Sequence, residues 1–174
     1  MIDLVRAAVG TGSGRLLVLE PPAATHRQLG RPGETLVVAS AARKTARACR
    51  ERSAADEEAA LVVLQADPAR LPFKPRSFDA LVSMIEPAPS LPIGPSQRLV
   101  RAGGVVVLAS RVRTGLAGGA ASIVRHARRG PALPRAGDLT AWLLRAGLRS
   151  VRQATAPGSV VVTWAEVRPR PWEG

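Results

Sequence analysis

The chain has 174 residues, of which 46% are hydrophobic and 22% charged. That is the balance of one ordinary globular domain and excludes disorder as the main state. Its strongest apolar runs, Gly104 to Ala109 and Val160 to Val162, fall far short of the ~18–20 residues of a bilayer helix. The net charge of +12, from 25 basic and 13 acidic residues, favours polyanions or an acidic partner.

Ile2 to Ala8 reads as a first helix, followed by a Gly-rich connection, Gly10-Thr11-Gly12-Ser13-Gly14. Leu16 to Leu19 reads as a buried strand ending at Pro21-Pro22, and Thr35 to Ala39 as a second. A helix is expected from about Ala41 to Ala60, with Ser40 as its N-cap. Leu61 to Gln65 and Phe78 to Met84 are the third and fourth strands. Gln97 to Arg101 closes a short helix, and Gly103-Gly104 turns the chain into a fifth strand, Val105 to Ser110. A basic, Gly-containing segment runs from Arg111 to Gly137. Asp138 to Gly147 reads as a helix with a glycine stop. Leu148 to Thr155 and Val160 to Val167 flank Ala156-Pro157-Gly158-Ser159, a hairpin turn.

Short strands that are apolar along their whole length read as parallel strands buried on both faces. Alternating with helices, they argue a doubly wound, Rossmann-like α/β sheet. The closing hairpin adds an antiparallel strand at or near the sheet edge. We read residues 1–174 as one domain, with 1–14 as N-terminal helix and connection and 168–174 as a short tail. Cys49 is the only cysteine, so neither an internal disulfide nor a cysteine zinc site is expected. With no secretory signal pattern at the N-terminus, a cytoplasmic protein is expected.

Three stretches, in order, resemble the class I S-adenosylmethionine-dependent methyltransferases of the small-molecule (UbiE-like, type 11) group. Asp67-Pro68-Ala69-Arg70-Leu71-Pro72-Phe73 with Ser77-Phe78-Asp79-Ala80-Leu81 resembles the family's D-x-x-x-L-P-F-x-x-x-S-F-D-x-V. Arg98-Leu99-Val100-Arg101-Ala102-Gly103-Gly104 resembles R-V-L-K-P-G-G, and Leu143-Leu144-Arg145-Ala146-Gly147-Leu148 resembles the segment before the family's final hairpin. The resemblance covers Leu16 to Val167. It implies a seven-stranded methyltransferase sheet ending in an antiparallel hairpin.

The departures fall on the cofactor motifs. The family's first strand ends in D-x-G-x-G-x-G, whose glycines let the backbone approach the cofactor. Here Val18 stands at the acid, and Glu20, Pro22 and Ala24 at the glycines. The acid that grips the ribose hydroxyls at the end of strand two is Ser40. Asp67 matches the carboxylate that receives the adenine amino group, and it also reads as a turn residue. If the cofactor binds, Glu20, Ser40 and Asp67 are the residues the resemblance places around it. The lost motifs imply that no cofactor is used. Gly10 to Gly14 matches the glycine loop as a string but precedes the strand instead of leaving it.

No catalytic or metal-ligating set emerges. His26 and His126 lack partners at ligand or triad spacing, and Glu86 lacks a paired acid. Ala42, Ala46 and Cys49 share a helical face, so Cys49 reads as core packing, opposite Arg43, Arg47 and Arg50. The charge is one-sided: residues 91–174 carry 13 basic and 3 acidic groups, and no acid lies between Glu86 and Asp138. Three readings follow. One is a degenerate methyltransferase homologue acting as a binding or regulatory subunit beside a protein partner, such as an active methyltransferase or another enzyme. Another is an active methyltransferase with an atypical loop that uses S-adenosylmethionine. The third is an Arg-rich module that binds a polyanion through Arg111, Arg113, Arg125, Arg128, Arg129 and Arg135, with no membrane role.

Overall fold

A computed structural model describes residues 1–10, 14–22, 25, 28–53, 60–84, 93, 97–112 and 133–168. In chain order these form α1 (Ile2–Val9), β1 (Arg15–Leu19), β2 (Thr35–Ser40), α2 (Arg43–Ser53), β3 (Ala60–Gln65), β4 (Phe78–Ser83), β5 (Val100–Arg111), α3 (Ala136–Arg145), β6 (Arg149–Ala156) and β7 (Val160–Glu166). The strands make one seven-stranded sheet in the order β3-β2-β1-β4-β5-β7-β6. β1 to β5 are mutually parallel, and β7 lies antiparallel between β5 and β6. The expected sheet and closing hairpin are therefore present, with β6 and not β7 at the edge.

The period-two alternation of a strand divides the core. Leu17, Leu19, Val37, Leu81 and Val106 point to one face and pack with Leu143 of α3. Leu16, Val18, Leu36, Val82 and Val107 point to the other and pack with Val5 of α1 and Cys49 of α2. Cys49 is thus a core residue, as its helical spacing implies. No helix of the described residues is long and apolar enough to cross a membrane.

Four expectations need correction. Ser40 does not cap α2: it is the last residue of β2, in register with Gln65, and the helix begins at Arg43. Ala60, expected at the helix end, already belongs to β3, while 54–59 lie outside the described residues. β3 is not buried on both faces, because it is the sheet edge; Val62 is 52% exposed. Finally, Gly103-Gly104 is not a turn into β5 but a bulge inside it. Phe78 pairs with Val100 and Ala80 with Val105, so three extra residues are taken up on β5.

Two anchors hold that bulge. Gly103 N–H donates to Val167 O at 2.8 Å, and Val167 N–H donates to Gly104 O at 2.8 Å. Asp79 accepts the Arg15 backbone N–H at 2.7 Å on one oxygen and pairs with Arg101 Nε at 2.6 Å on the other. The glycine stop of α3 also forms. Gly147 has φ 83°, Leu148 N–H reaches Leu143 O at 3.1 Å, and Gly147 N–H reaches Leu144 O at 2.9 Å. This is a Schellman closure with Leu143 and Leu148 both in the core.

A Cβ added at Gly104 would lie 2.5 Å from the Asp79 carbonyl oxygen and 2.6 Å from Val100 Cγ1. Gly104→Ala is therefore expected to cost about 2–3 kcal/mol by overpacking against backbone. Gly137→Ala, where nothing lies within 4 Å, should be neutral or stabilising by up to about 1 kcal/mol. Urea denaturation of the two variants checks both.

Candidate functional site

In an open parallel sheet the binding crevice lies outside the carboxyl ends of the strands, where the strand order reverses. Here β1 sits between β2 and β4, so the switch point is the carboxyl end of β1. The chain leaves β1 at Glu20, β2 at Ser40, β3 near Asp67 and β4 at Met84. Backbone bonds hold these exits together. Glu20 N–H donates to Ala39 O at 2.9 Å, Ala66 N–H to Ser40 O at 3.1 Å, and Met84 N–H to Leu19 O at 3.3 Å.

Glu20 is the decisive residue. Its φ is 48°, in the left-handed region that favours glycine and costs other residues about 1–3 kcal/mol. The strain is offset by what the side chain does. One carboxylate oxygen accepts the Ala41 backbone N–H at 2.5 Å, and the other accepts the Ser40 hydroxyl at 2.5 Å. Ser40 is fully buried, and its Oγ also accepts the Ala42 N–H at 3.2 Å. The half-buried carboxylate thus folds over the end of the neighbouring strand and closes the notch between β1 and β2. Charge-assisted bonds of this kind are among the stronger ones in proteins.

The structure brings Glu20 and Ser40 together and leaves Asp67 apart. Asp67 is exposed, and its Oδ1 accepts the Ala69 N–H at 2.9 Å while its carbonyl accepts the Arg70 N–H at 2.9 Å. Those are the bonds of its own turn. The Ala41 amide is the member of the cluster that sequence reasoning misses. The pairing follows from the register: Leu19 and Ala39 are partners, so residues 20 and 40 are neighbours.

Pro21 is buried beside this cluster, and Ala23 and Ala24 lie outside the described residues. So do His26, Glu86, His126, Arg113, Arg125, Arg128 and Arg129. Arg111 ends β5 and Arg135 precedes α3, both exposed. Of the arginine stripe on α2, Arg47 is held by Glu51 at 2.6 Å, one helical turn on, and this bond raises the guanidinium pKa further.

No protein-family model matches the chain, and no curated protein matches its sequence. Solved structures do. An S-adenosylmethionine-dependent methyltransferase from Aquifex aeolicus superposes with a TM-score of 0.72 at 12% identity, over 94% of this chain and 88% of that one. A methyltransferase from Methanosarcina mazei gives 0.73 at 12% identity, over 95% and 98%. Human N-acetylserotonin methyltransferase, solved in complex with S-adenosylmethionine, gives 0.73 at 12% identity over 97% of this chain but 50% of its own.

The fold is that of the class I S-adenosylmethionine-dependent methyltransferases. The seven-stranded methyltransferase sheet is therefore present here. The backbone at Glu20 keeps the left-handed shape of a glycine position while carrying an acid.

If Glu20 and Ser40 act as one unit, their substitutions must couple. Ser40→Asp alone sets two carboxylates in contact and is expected to cost at least ~2 kcal/mol. In a Glu20→Gly background the same change should cost markedly less, giving a coupling of about 1 kcal/mol or more in a double-mutant cycle. Additive losses in urea denaturation would show that no such unit exists.

Proposed function

We propose that this protein is a non-catalytic methyltransferase homologue that does not use S-adenosylmethionine and works by binding a protein partner as a regulatory or accessory subunit. The observation that carries this reading is the Glu20 carboxylate seated on Ser40 and Ala41. The family resemblance puts a glycine at position 20, because backbone must approach the cofactor there, and a carboxylate at position 40 for the ribose hydroxyls. In this chain the first is a side chain turned into the cleft and the second is a buried serine already donating its proton. Pro21 and Pro22 have no N–H to offer and restrict φ in the same loop. Two lost contacts of ~1.5–3 kcal/mol each would weaken a micromolar site a hundredfold or more.

The same carboxylate favours a second reading. It lies over the end of β2, where the family's ribose acid would be, and an acid relocated from β2 to β1 could serve an active methyltransferase. The two readings predict opposite outcomes for one residue. On the first, titration calorimetry with S-adenosylmethionine or S-adenosylhomocysteine gives no saturable heat at ~1 mM, a concentration that would register even a ~4 kcal/mol site. A variant with Glu20→Gly, Pro22→Gly, Ala24→Gly and Ser40→Asp then gains binding. On the second, the natural protein binds in the low micromolar range and Glu20→Gln loses at least about tenfold. The second outcome would replace the proposal.

A further inference from the structure

One concavity among the described residues lies away from the carboxyl edge. It is a groove of about 850 Å³ at the opposite end of the parallel strands, where β4 and β5 begin and β7 ends. Two irregularities make it. The bulge at Gly103-Gly104 displaces the start of β5, and a register shift between Arg149 and Arg152 bends the start of β6. Ligand pockets commonly measure ~300–1,000 Å³, and bulges recur beside functional sites.

The lining is strongly one-signed. Among the described residues, Arg76, Arg98, Arg149 and Arg168 border the groove, with Glu166 as the one carboxylate. Arg98 Nη2 reaches Leu71 O at 3.4 Å, and Arg168 Nη2 reaches Ser150 Oγ at 3.3 Å. Neither these two nor Arg149 forms an ion pair among the described residues. The backbone is strained on both sides. Of the four non-glycine residues at positive φ, Arg76 (60°) lies in the groove and Ser150 (55°) beside it. Such strain concentrates at ligand sites.

Gln97 belongs to the wall of the groove. Gln97 donates Nε2–H to Ala146 O at 2.7 Å. A carbonyl can only accept, so this bond fixes the amide orientation and turns Oε1 the other way. Gln97 Oε1 is buried and has no hydrogen-bond partner. Closed off from solvent, it lies out of reach of a molecule in the groove. Guanidinium groups match phosphate oxygens in geometry as well as charge. Val100, Leu148 and Val167 supply an apolar wall for the body of the molecule.

We propose that this groove binds a small phosphate ester, with the phosphate on Arg98, Arg149 and Arg168 and the body of the molecule against the apolar wall. A nucleic acid strand fits less well. The groove is short, and Glu166 would repel a passing backbone. The site lies at the far end of the strands from Glu20, so it stands whether or not the carboxyl edge takes a cofactor.

The test uses calorimetry on the full chain at physiological ionic strength, with glucose 6-phosphate, inorganic phosphate and a single-stranded oligonucleotide as probes. Glucose 6-phosphate should bind saturably and more tightly than inorganic phosphate. The Arg98→Gln, Arg149→Gln double variant should weaken both about tenfold or more. Lys44→Gln, on α2 and outside the groove, should alter neither. Should the double variant fail to fold, Arg168→Gln alone must weaken both probes severalfold. Absence of saturable binding by either phosphate, equal binding by natural and variant proteins, or binding of the oligonucleotide alone would each overturn the proposal.

Discussion

The carboxyl edge of this sheet is organised by one carboxylate. Glu20 leaves β1 in a conformation that costs any residue but glycine, and its side chain recovers that cost by accepting two short hydrogen bonds from the end of β2. Everything nearby is arranged around that contact. Ser40 is fully buried because its hydroxyl has a partner; without one it would be an unsatisfied polar group in the core. Ala41 presents its amide to the carboxylate before α2 begins at Arg43, so the first turn of the helix is positioned from β1. The backbone at position 20 thus has the left-handed shape that favours glycine, while its side chain is bound to the end of β2.

Asp79 plays the corresponding part at the other end of the strands. It ties the backbone at the start of β1 to Arg101 on the β5 bulge, and that bulge is possible only because position 104 has no Cβ. The two ends therefore differ in character. One is closed by an internal acid; the other is held open, with guanidinium groups around a concavity. The fold is that of a methyltransferase, with the Glu20 cluster at the carboxyl edge of its sheet and a basic groove on the reverse.

Much of the sheet is legible in the sequence, because the physics that sets it is local. Leu16-Leu17-Val18-Leu19 and Thr35-Leu36-Val37-Val38-Ala39 can only be strands buried on both faces, and Gly147 and Pro157-Gly158 mark where α3 and the hairpin turn. What is missed is missed for stated reasons. Ser40 has the chemistry of an N-cap, but register with Gln65 keeps it in β2. Gly103-Gly104 reads as a turn, but the bonds to Val167 hold it in the ladder as a bulge. β3 is as apolar as its neighbours, and nothing in its own residues reveals that it is an edge. Glu20, read from sequence as bulk in a loop, becomes a ligand of Ser40 only once β1 and β2 lie in register. The basic groove is the least legible feature, since Arg76, Arg98, Arg149 and Arg168 meet only after the whole sheet has closed.

The closed carboxyl edge can be watched at a single atom pair, the Ala41 amide and the Glu20 carboxylate. Nuclear magnetic resonance of the amide proton during titration with S-adenosylmethionine reads that contact directly. The account predicts a strongly downfield Ala41 signal that stays in place throughout the titration and moves upfield in Glu20→Gln. A saturable displacement of the Ala41 signal by the cofactor would contradict it, because the carboxylate would then be yielding its place to a ligand.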